Sequence, residues 1–344
     1  GIRQLVRRLG DPQKELRFVH VAGTNGKGSV CAFLSSVLQQ GGYRVGKYNS
    51  PAVLDYREEI QVNGSYITKA AVSRYVEQLK DVCDGMVAEG LPHPTPFEVK
   101  TAMAFLHFRD KKCDVVVMET GMGGLLDATN IVEDTCVAVL TSISEDHMGF
   151  LGKTLGEIAV QKAGIIKKGC HVVTAVQAPE VMEVIVDRAA SLGCPLTVAD
   201  GKAAEHVRFG LEKQRFDYGG LKKLEITLAG QYQIENAVTA LEGLRALGSG
   251  DRKWAFPVPE EKLRQGMSQA CWRGRFDVVG RKPYFILDGA HNEDAARRLA
   301  QSVEFYFPNR RIIYIMGMLR DKEYDKVIEL THGLADQIIT VTPP

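Results

Sequence analysis

Residues 22–29 read Ala-Gly-Thr-Asn-Gly-Lys-Gly-Ser, directly after the apolar run Phe18-Val19-His20-Val21 and before the helix-like stretch 30–38. A strand, a tight glycine turn and a helix in that order bring a strand end to a phosphate cradle. Backbone N–H groups point inward there, the helix N-terminus adds partial positive charge, and Lys27 adds a full one. The general phosphate-loop pattern spaces its glycines more widely and sets a hydroxyl residue next to the lysine. Here two residues separate Gly23 from Gly26, and Gly28 stands between Lys27 and Ser29. That departure points away from ordinary GTPases and kinases and towards ligases that activate a carboxylate with ATP. A glycine turn that binds nothing is the bland alternative. Strand, turn, lysine and hydroxyl in register argue against it.

Around this turn, apolar runs of strand length alternate with amphipathic stretches of helix length, the pattern of a parallel sheet with helices on both faces. The predicted strands are 17–22, 43–48, 113–119, 135–143, 171–176, 224–228, 284–287, 312–316 and 336–341. The predicted helices are 28–40, 68–89, 97–110, 154–163, 179–192, 230–247, 259–267, 292–306 and 322–332. Residues 201–228, with Gly219-Gly220 among charged and β-branched residues, read as antiparallel hairpins appended to the first sheet. A second β/α series begins near Arg275. The expected fold class is therefore α/β. A P-loop-type, mostly parallel sheet domain with appended hairpins spans 1–274, and a smaller Rossmann-like α/β domain spans 275–344. A chain of 344 residues also favours two cores over one. Gly1 opens in a helical pattern without an initiator Met, and 336–341 reads as a strand with no closing helix. Both ends therefore read as cut, and the second domain as incomplete.

A formal net charge of +1 offers no attraction to nucleic acid or an anionic membrane, so neither is an expected partner. No apolar stretch is long enough to span a bilayer. The seven cysteines include no C-x-x-C pair and sit mostly in apolar runs, which suits a reducing cytoplasm.

Ligands of open α/β sheets bind at the carboxyl ends of strands, and polar residues appear abruptly at several predicted ends. The run Asp114 to Met118 ends in Glu119, followed by Thr120-Gly121-Met122-Gly123-Gly124. A carboxylate at a buried strand tip suits Mg²⁺, which takes hard oxygen ligands and keeps phosphate and water in its shell. The next strand leads to Ser144-Glu145-Asp146-His147, where His147 reads equally as a ligand or as a loop residue bonded to backbone. Lys162 lies in a helix of small and apolar residues; a snorkelling lysine is the plain reading. Later come Asp288-Gly289-Ala290-His291-Asn292 and, at the domain junction, Arg273 and Arg275, from which a guanidinium could reach a phosphate. Gln231 to Asn236 open a helix with amides suited to an adenine edge.

The segments Val21 to Ser29, Ser50-Pro51, Glu119 to Gly124, Asp127 to Asn130 and Glu145 to Met148 together resemble folylpolyglutamate synthase/dihydrofolate synthase, the folate branch of the Mur-ligase superfamily. So do Gln161 to Ile165, Gly274-Arg275-Phe276 and Asp288 to Asn292, and the motifs are collinear over essentially the whole chain. The resemblance implies an ATP-dependent amide ligase that joins L-glutamate to a folate or to dihydropteroate through an acyl phosphate, releasing ADP and phosphate. Carried over by residue, it implies that Thr24, Asn25, Gly26, Lys27, Gly28, Ser29, Asn236, Arg275 and Asp288 bind ATP. Ser50, Glu119 and His147 look like ligands of two Mg²⁺ ions, and Lys162 resembles a lysine carbamylated by CO₂. Lys27, Lys162 and His147 are the implied catalytic residues, and a monomer is implied.

Three positions depart from the family's pattern. Ser50-Pro51-Ala52-Val53 stands where Ser-Pro-His-Leu is common, Leu125 where an arginine is usual, and Arg273-Gly274-Arg275 where Pro-Gly-Arg is common. Segment 50–65 is expected to be a mobile loop over the substrate pocket. Two alternatives stay open. One is a Mur ligase acting on a UDP-linked cell-wall precursor, against which stands a phosphate loop reached within the first thirty residues. The other is a nucleotide-binding paralogue without catalysis, against which stand Glu119, His147 and Lys162.

Overall fold

A computed structural model describes residues 1–145, 148–249, 254–319, 322 and 324–342. Its elements run, in chain order, α1 (Ile2–Arg8), β1 (Phe18–Ala22), α2 (Lys27–Gln40), β2 (Val45–Tyr48), β3 (Ile60–Val62), β4 (Ser65–Tyr66), α3 (Lys69–Ala88), α4 (Pro96–Asp110) and β5 (Val115–Glu119). There follow β6 (Thr135–Leu140), α5 (Met148–Leu151), α6 (Leu155–Ala163), β7 (His171–Ala175), α7 (Pro179–Ser191), β8 (Leu196–Ala199), β9 (Glu205–Arg208), β10 (Gln214–Tyr218) and β11 (Leu221–Ile226). Next come α8 (Gln233–Gly248), α9 (Glu260–Gln269), β12 (Asp277–Arg281), β13 (Tyr284–Leu287), α10 (Glu293–Tyr306), β14 (Ile313–Met316), α11 (Tyr324–Thr331) and β15 (Gln337–Thr340).

An eight-stranded sheet in the order β4-β3-β2-β5-β1-β6-β7-β8 forms the frame. It is parallel from β2 to β8, and β3 and β4 add an antiparallel edge. β1, β5 and β6 are buried along their whole length, as the near-continuous Val runs of a doubly covered parallel sheet require. On one face, α2 and α8 bury Phe33, Leu34, Leu38 and Leu241 against Val19, Val117 and Val139. On the other, α1, α3 and α4 bury Leu5, Tyr75, Leu79 and Phe105 against Phe18, Val116 and Met118. The helices start where their caps dictate: Thr68 and Thr154 accept N–H bonds at their starts, and Thr95 with Glu98 forms a full capping box before Pro96.

Period-two alternation assigns the faces of β2. Gly46 faces α4, where a Cβ would lie 2.8 Å from the Phe108 ring, and the Tyr48 hydroxyl bonds Thr101 Oγ1 at 3.1 Å. Lys47 and Asn49 therefore face the α2 side. The C-terminal strand ends on both sides of β1 open towards the phosphate loop.

The structure differs from expectation in three places. Residues 201–228 do not extend the first sheet: β9, β10 and β11 form a separate three-stranded antiparallel sheet packed on α8 and α9. The edge of the large sheet is instead taken by β8, whose weakly apolar sequence hides it. The supposed loop 50–65 is a loop only in its first half, since β3 and β4 pair with the sheet edge. The segment after Arg275 begins with the antiparallel pair β12–β13, where 277–281 carries no strand-like run, and then adds the parallel pair β14–β15.

One buried polar chain crosses the core. His20 on β1 lies against Thr129, its Nε2 2.9 Å from Thr129 Oγ1, and that hydroxyl donates to Asp127 Oδ1 at 2.6 Å. Burial drives the His20 pKa down from 6.5 to about 3. Between those values the unfolded chain binds a proton that the fold refuses, so stability falls as pH drops through that window. We expect the urea midpoint to fall steadily on acidification below pH 6.5, and His20→Gln to flatten that slope. An unchanged slope in the variant would exclude His20 as a source of the acid sensitivity.

Candidate active site

The phosphate loop is built where the chain leaves β1. Gly23 (φ +151°) and Gly26 (φ +89°) adopt backbone conformations that side chains disfavour, and the space beside each is already taken. A Cβ at Gly23 would run into Thr141 beyond β6, and one at Gly26 would run into the Asn236 amide on α8. At Gly28 it would meet the Trp272 ring at 2.5 Å. Three distant segments thus press on the loop, and only bare backbone fits between them. Thr24 ties the loop to the β6 exit: its hydroxyl donates to Ser144 O at 2.9 Å and accepts from Ser144 N–H at 3.1 Å. Ser29 Oγ accepts from Gln233 Nε2 at 3.2 Å, and Gln233 Oε1 accepts from Asn236 at 2.9 Å.

Lys27, the first residue of α2, folds its ammonium back on the loop, donating to Gly23 O (3.0 Å) and Thr24 O (3.1 Å). Its Nζ also stands 4.0 Å from Glu119 Oε1. Glu119 closes β5 and is only 5% exposed. Asn49 Nδ2 donates to Glu119 Oε2 at 2.7 Å, and the Ser50 backbone N–H also bonds this carboxylate. Burial pushes the Glu119 pKa up, against the opposing pull of Lys27, Asn49 and Arg275. A dehydrated carboxylate beside a serine is a hard oxygen donor set, which suits Mg²⁺ and not a soft metal. Among the described residues no three His, Cys, Asp or Glu side chains form a cluster of their own. His147 lies outside the described residues.

Lys162 does not snorkel. It is 3% exposed, and its ammonium donates to Gly23 O at 2.9 Å. The same carbonyl therefore receives both Lys27 and Lys162. Leu125 packs above the end of this helix, with its backbone N–H on Gln161 O at 2.6 Å.

The opposite wall comes from the last third of the chain. Asp288 accepts from the Phe276 N–H (2.7 Å) and the Ala290 N–H (2.8 Å), and burial raises its pKa despite the nearby Arg275. Phe276 takes a left-handed backbone (φ 47°), uncommon for a bulky residue and stabilised here by the Asp288 bond. Asn25 reaches across, donating to Asn292 Oδ1 at 3.2 Å and Asp294 Oδ2 at 2.8 Å. Arg298 on α10 pairs with Glu235 on α8 at 3.0 Å and with Asp294 at 3.2 Å.

Thr24 to Ser29, Glu119, Asn236, Arg275 and Asp288 all line one cleft. Ser50 and Lys162 approach it from behind, through Glu119 and Gly23 respectively. Gln233, Tyr232, Glu235 and Arg298 also border or brace this cleft; the first three fall within the amide-bearing helix start 231–236, and Arg298 does not stand out in the sequence. The only signal for Gln233 was its place among amides at a helix start. Nothing local marks Arg298, whose partners lie on two helices.

Comparison with known proteins agrees with this fold. Residues 21–243 match the Mur ligase middle domain, and residues 274–344 match the Mur ligase, glutamate ligase domain. The dihydrofolate synthase/folylpolyglutamate synthase of Bacillus subtilis is 38% identical over 98% of this chain and 79% of its own. Among solved structures, an FPGS–AMPPCP–folate complex superimposes with a TM-score of 0.92 at 31% identity, over 100% of this chain and 84% of that one. The Mycobacterium tuberculosis folylpolyglutamate synthase complexed with ADP gives a TM-score of 0.90 at 30% identity, over 98% and 77%. With a cleft that joins a phosphate loop, a buried carboxylate and an arginine from the following segment, the chain belongs to the folylpolyglutamate synthase/dihydrofolate synthase family of Mur-type ligases.

Proposed function

We propose that the chain is an ATP-dependent amide ligase that adds L-glutamate to a folate, a tetrahydrofolyl polyglutamate or dihydropteroate. The observation that carries this reading is the convergence of Lys27, Glu119, Arg275 and Asp288 on one cleft, in a chain of this family. ATP lies with its phosphates over Gly26, Lys27, Gly28 and Ser29, where backbone N–H groups and the N-terminus of α2 receive them. Thr24 and Asn25 hold the loop's shape, and Asn236, Arg275 and Asp288 contact the nucleotide from α8 and the junction. The substrate carboxylate attacks the γ-phosphorus, the bond to the β-phosphate oxygen breaks, and ADP leaves with that electron pair. The glutamate amine then attacks the acyl phosphate carbon, loses a proton, and inorganic phosphate departs with the C–O electrons. Lys27 and Arg275 spread the negative charge of the transferring group. Mg²⁺ held by Ser50, Glu119 and His147, in two sites, supplies further charge neutralisation when bound.

Lys162 is read as a carbamate. Two ammonium groups on one carbonyl, that of Lys162 buried and that of Lys27 half-buried, repel each other. Attack of the neutral Lys162 amine on CO₂, with loss of a proton, turns one of them into an anion facing the metal side of the cleft. A monomer suffices, because both walls come from one chain, and the buried free cysteines suit a reducing cytoplasm.

Two measurements test these assignments. Lys27→Ala and Glu119→Ala should each lower glutamate-dependent ADP release by about a hundred-fold or more, with dihydropteroate and tetrahydrofolate assayed in parallel. Near-normal turnover in either variant would refute the cleft as the reaction site. Incubation with ¹³C-bicarbonate at neutral pH should give one carbamate carbon resonance that disappears in Lys162→Arg. Its absence from the parent protein at saturating bicarbonate would remove the carbamate.

A further inference from the structure

The loop that follows β2 carries Ser50 and has little packing to hold it. None of residues 51–58 is buried, and Pro51, Val53, Leu54 and Tyr56 are exposed. Two neighbouring carboxylates hold it instead. Glu58 Oε1 accepts from the N–H groups of Val53, Leu54 (2.6 Å) and Asp55 (3.3 Å). Glu59 holds the part nearest Ser50. Its backbone carbonyl accepts from Asn49 N–H at 3.1 Å, continuing the β2–β3 pairing, and its Oε1 accepts from Ala52 N–H at 2.9 Å. Ser50 is therefore bracketed by two bonds to one residue, while its own N–H meets the Glu119 carboxylate. Ala52 stands where the family pattern commonly has histidine; its methyl group makes no polar contact, so backbone alone ties this corner.

Glu59 is a buried carboxylate, and its charge is met by an ion pair between Oε2 and Lys100 on α4. The Lys100 ammonium also lies over the Phe97 ring, 5.6 Å from the centroid. Glu59 and Asn49 both border a cavity of about 330 Å³ beside the nucleotide cleft. Both oxygens of Glu59 are nevertheless engaged within the protein, and Oε2 has almost no accessible surface. Burying a carboxylate is costly, and here the ion pair and the Ala52 N–H offset that cost. Its chemistry is thus spent on the loop and not on a ligand.

We propose that Glu59 is a positioning residue for the ligase reaction: anchored by Lys100, it holds Ala52 N–H and so fixes the Ser50 corner against Glu119, in the arrangement that receives a divalent cation. The proposal rests on the reading of Ser50 and Glu119 as cation ligands given above. Glutamine at this position keeps an acceptor for Ala52 N–H, whereas alanine leaves that N–H without one and releases a loop that has no buried side chain to hold it. The loss falls on cation affinity and spares the nucleotide, because the phosphate loop is held from the β6 exit, α8 and α10.

The test measures the Kd of Mn²⁺ from the EPR signal of the free ion, with the full chain in excess over AMPPCP, and separately the Kd of AMPPCP without metal. In Glu59→Ala the Mn²⁺ Kd should rise about ten-fold, the metal-free AMPPCP Kd should match the parent, and Glu59→Gln should recover most of the loss. An unchanged Mn²⁺ Kd in Glu59→Ala overturns the proposal, as does a glutamine variant as weak as the alanine one or an equal rise in the metal-free Kd. Should Glu59→Ala not fold, the double variant Glu59→Met, Lys100→Met decides, since it removes the acceptor without leaving a charge unpaired. A Mn²⁺ Kd raised about ten-fold there supports the proposal, and an unchanged one overturns it. Ser50→Ala separates the two readings. A raised Kd in Ser50→Ala beside an unchanged one in Glu59→Ala sinks only the positioning role. An unchanged Kd in Ser50→Ala removes Ser50 as a ligand, and this proposal with it.

Discussion

The carbonyl oxygen of Gly23 accepts from two ammonium groups, the half-buried Lys27 at 3.0 Å and the buried Lys162 at 2.9 Å, and the cleft is arranged around that point. Their mutual repulsion is tolerable only where negative charge is close at hand. Glu119, 4.0 Å from Lys27 at the tip of β5, provides negative charge there. The loop that carries this carbonyl has little freedom to move away. Thr141 blocks it at Gly23, Asn236 at Gly26 and Trp272 at Gly28, so charge is concentrated on a rigid support. Such preorganised charge stabilises a transferring phosphoryl group without reorganising at the moment of reaction.

The two walls are held together by polar contacts and not by a large apolar surface. Asn25 bonds Asn292 and Asp294, and Arg298 bridges Glu235 and Asp294. The apolar cluster on that side is small, centred on Ala229, Phe276 and Leu299. Contacts of this kind are individually weak and exchange readily with water. They suit a cleft that opens and closes around its ligands, as the proposed ligase reaction would need. Asp288 ties this segment together, accepting from Phe276, which has the unusual left-handed backbone, and from Ala290.

β2 connects the nucleotide cleft with the neighbouring cavity through a single structural fact, the alternation of side chains along a strand. Tyr48 and Gly46 serve the apolar face under α4, which leaves Lys47 and Asn49 on the α2 side. Asn49 then sets its Nδ2 on Glu119 Oε2, 2.7 Å away.

Much was legible beforehand where the signal is local. The phosphate loop depends on glycine backbone and one lysine within eight residues, and the buried strands β1, β5 and β6 announce themselves as unbroken apolar runs. Edge elements were less readable. β3, β4 and β8 are short and partly exposed, so neither alternation nor hydrophobicity distinguishes them from loop. Lys162 reads as a snorkelling lysine in a helix of small and apolar residues, and its burial follows from packing against the Gly23 turn, more than a hundred residues earlier in the chain. The sequence alone determined which backbone could cradle a phosphate and which strand tips carried acid. Only the tertiary structure decided which amides, cations and rings from α8, α10 and the 270–276 segment closed around them, because those contacts join residues about two hundred or more apart and leave no local trace.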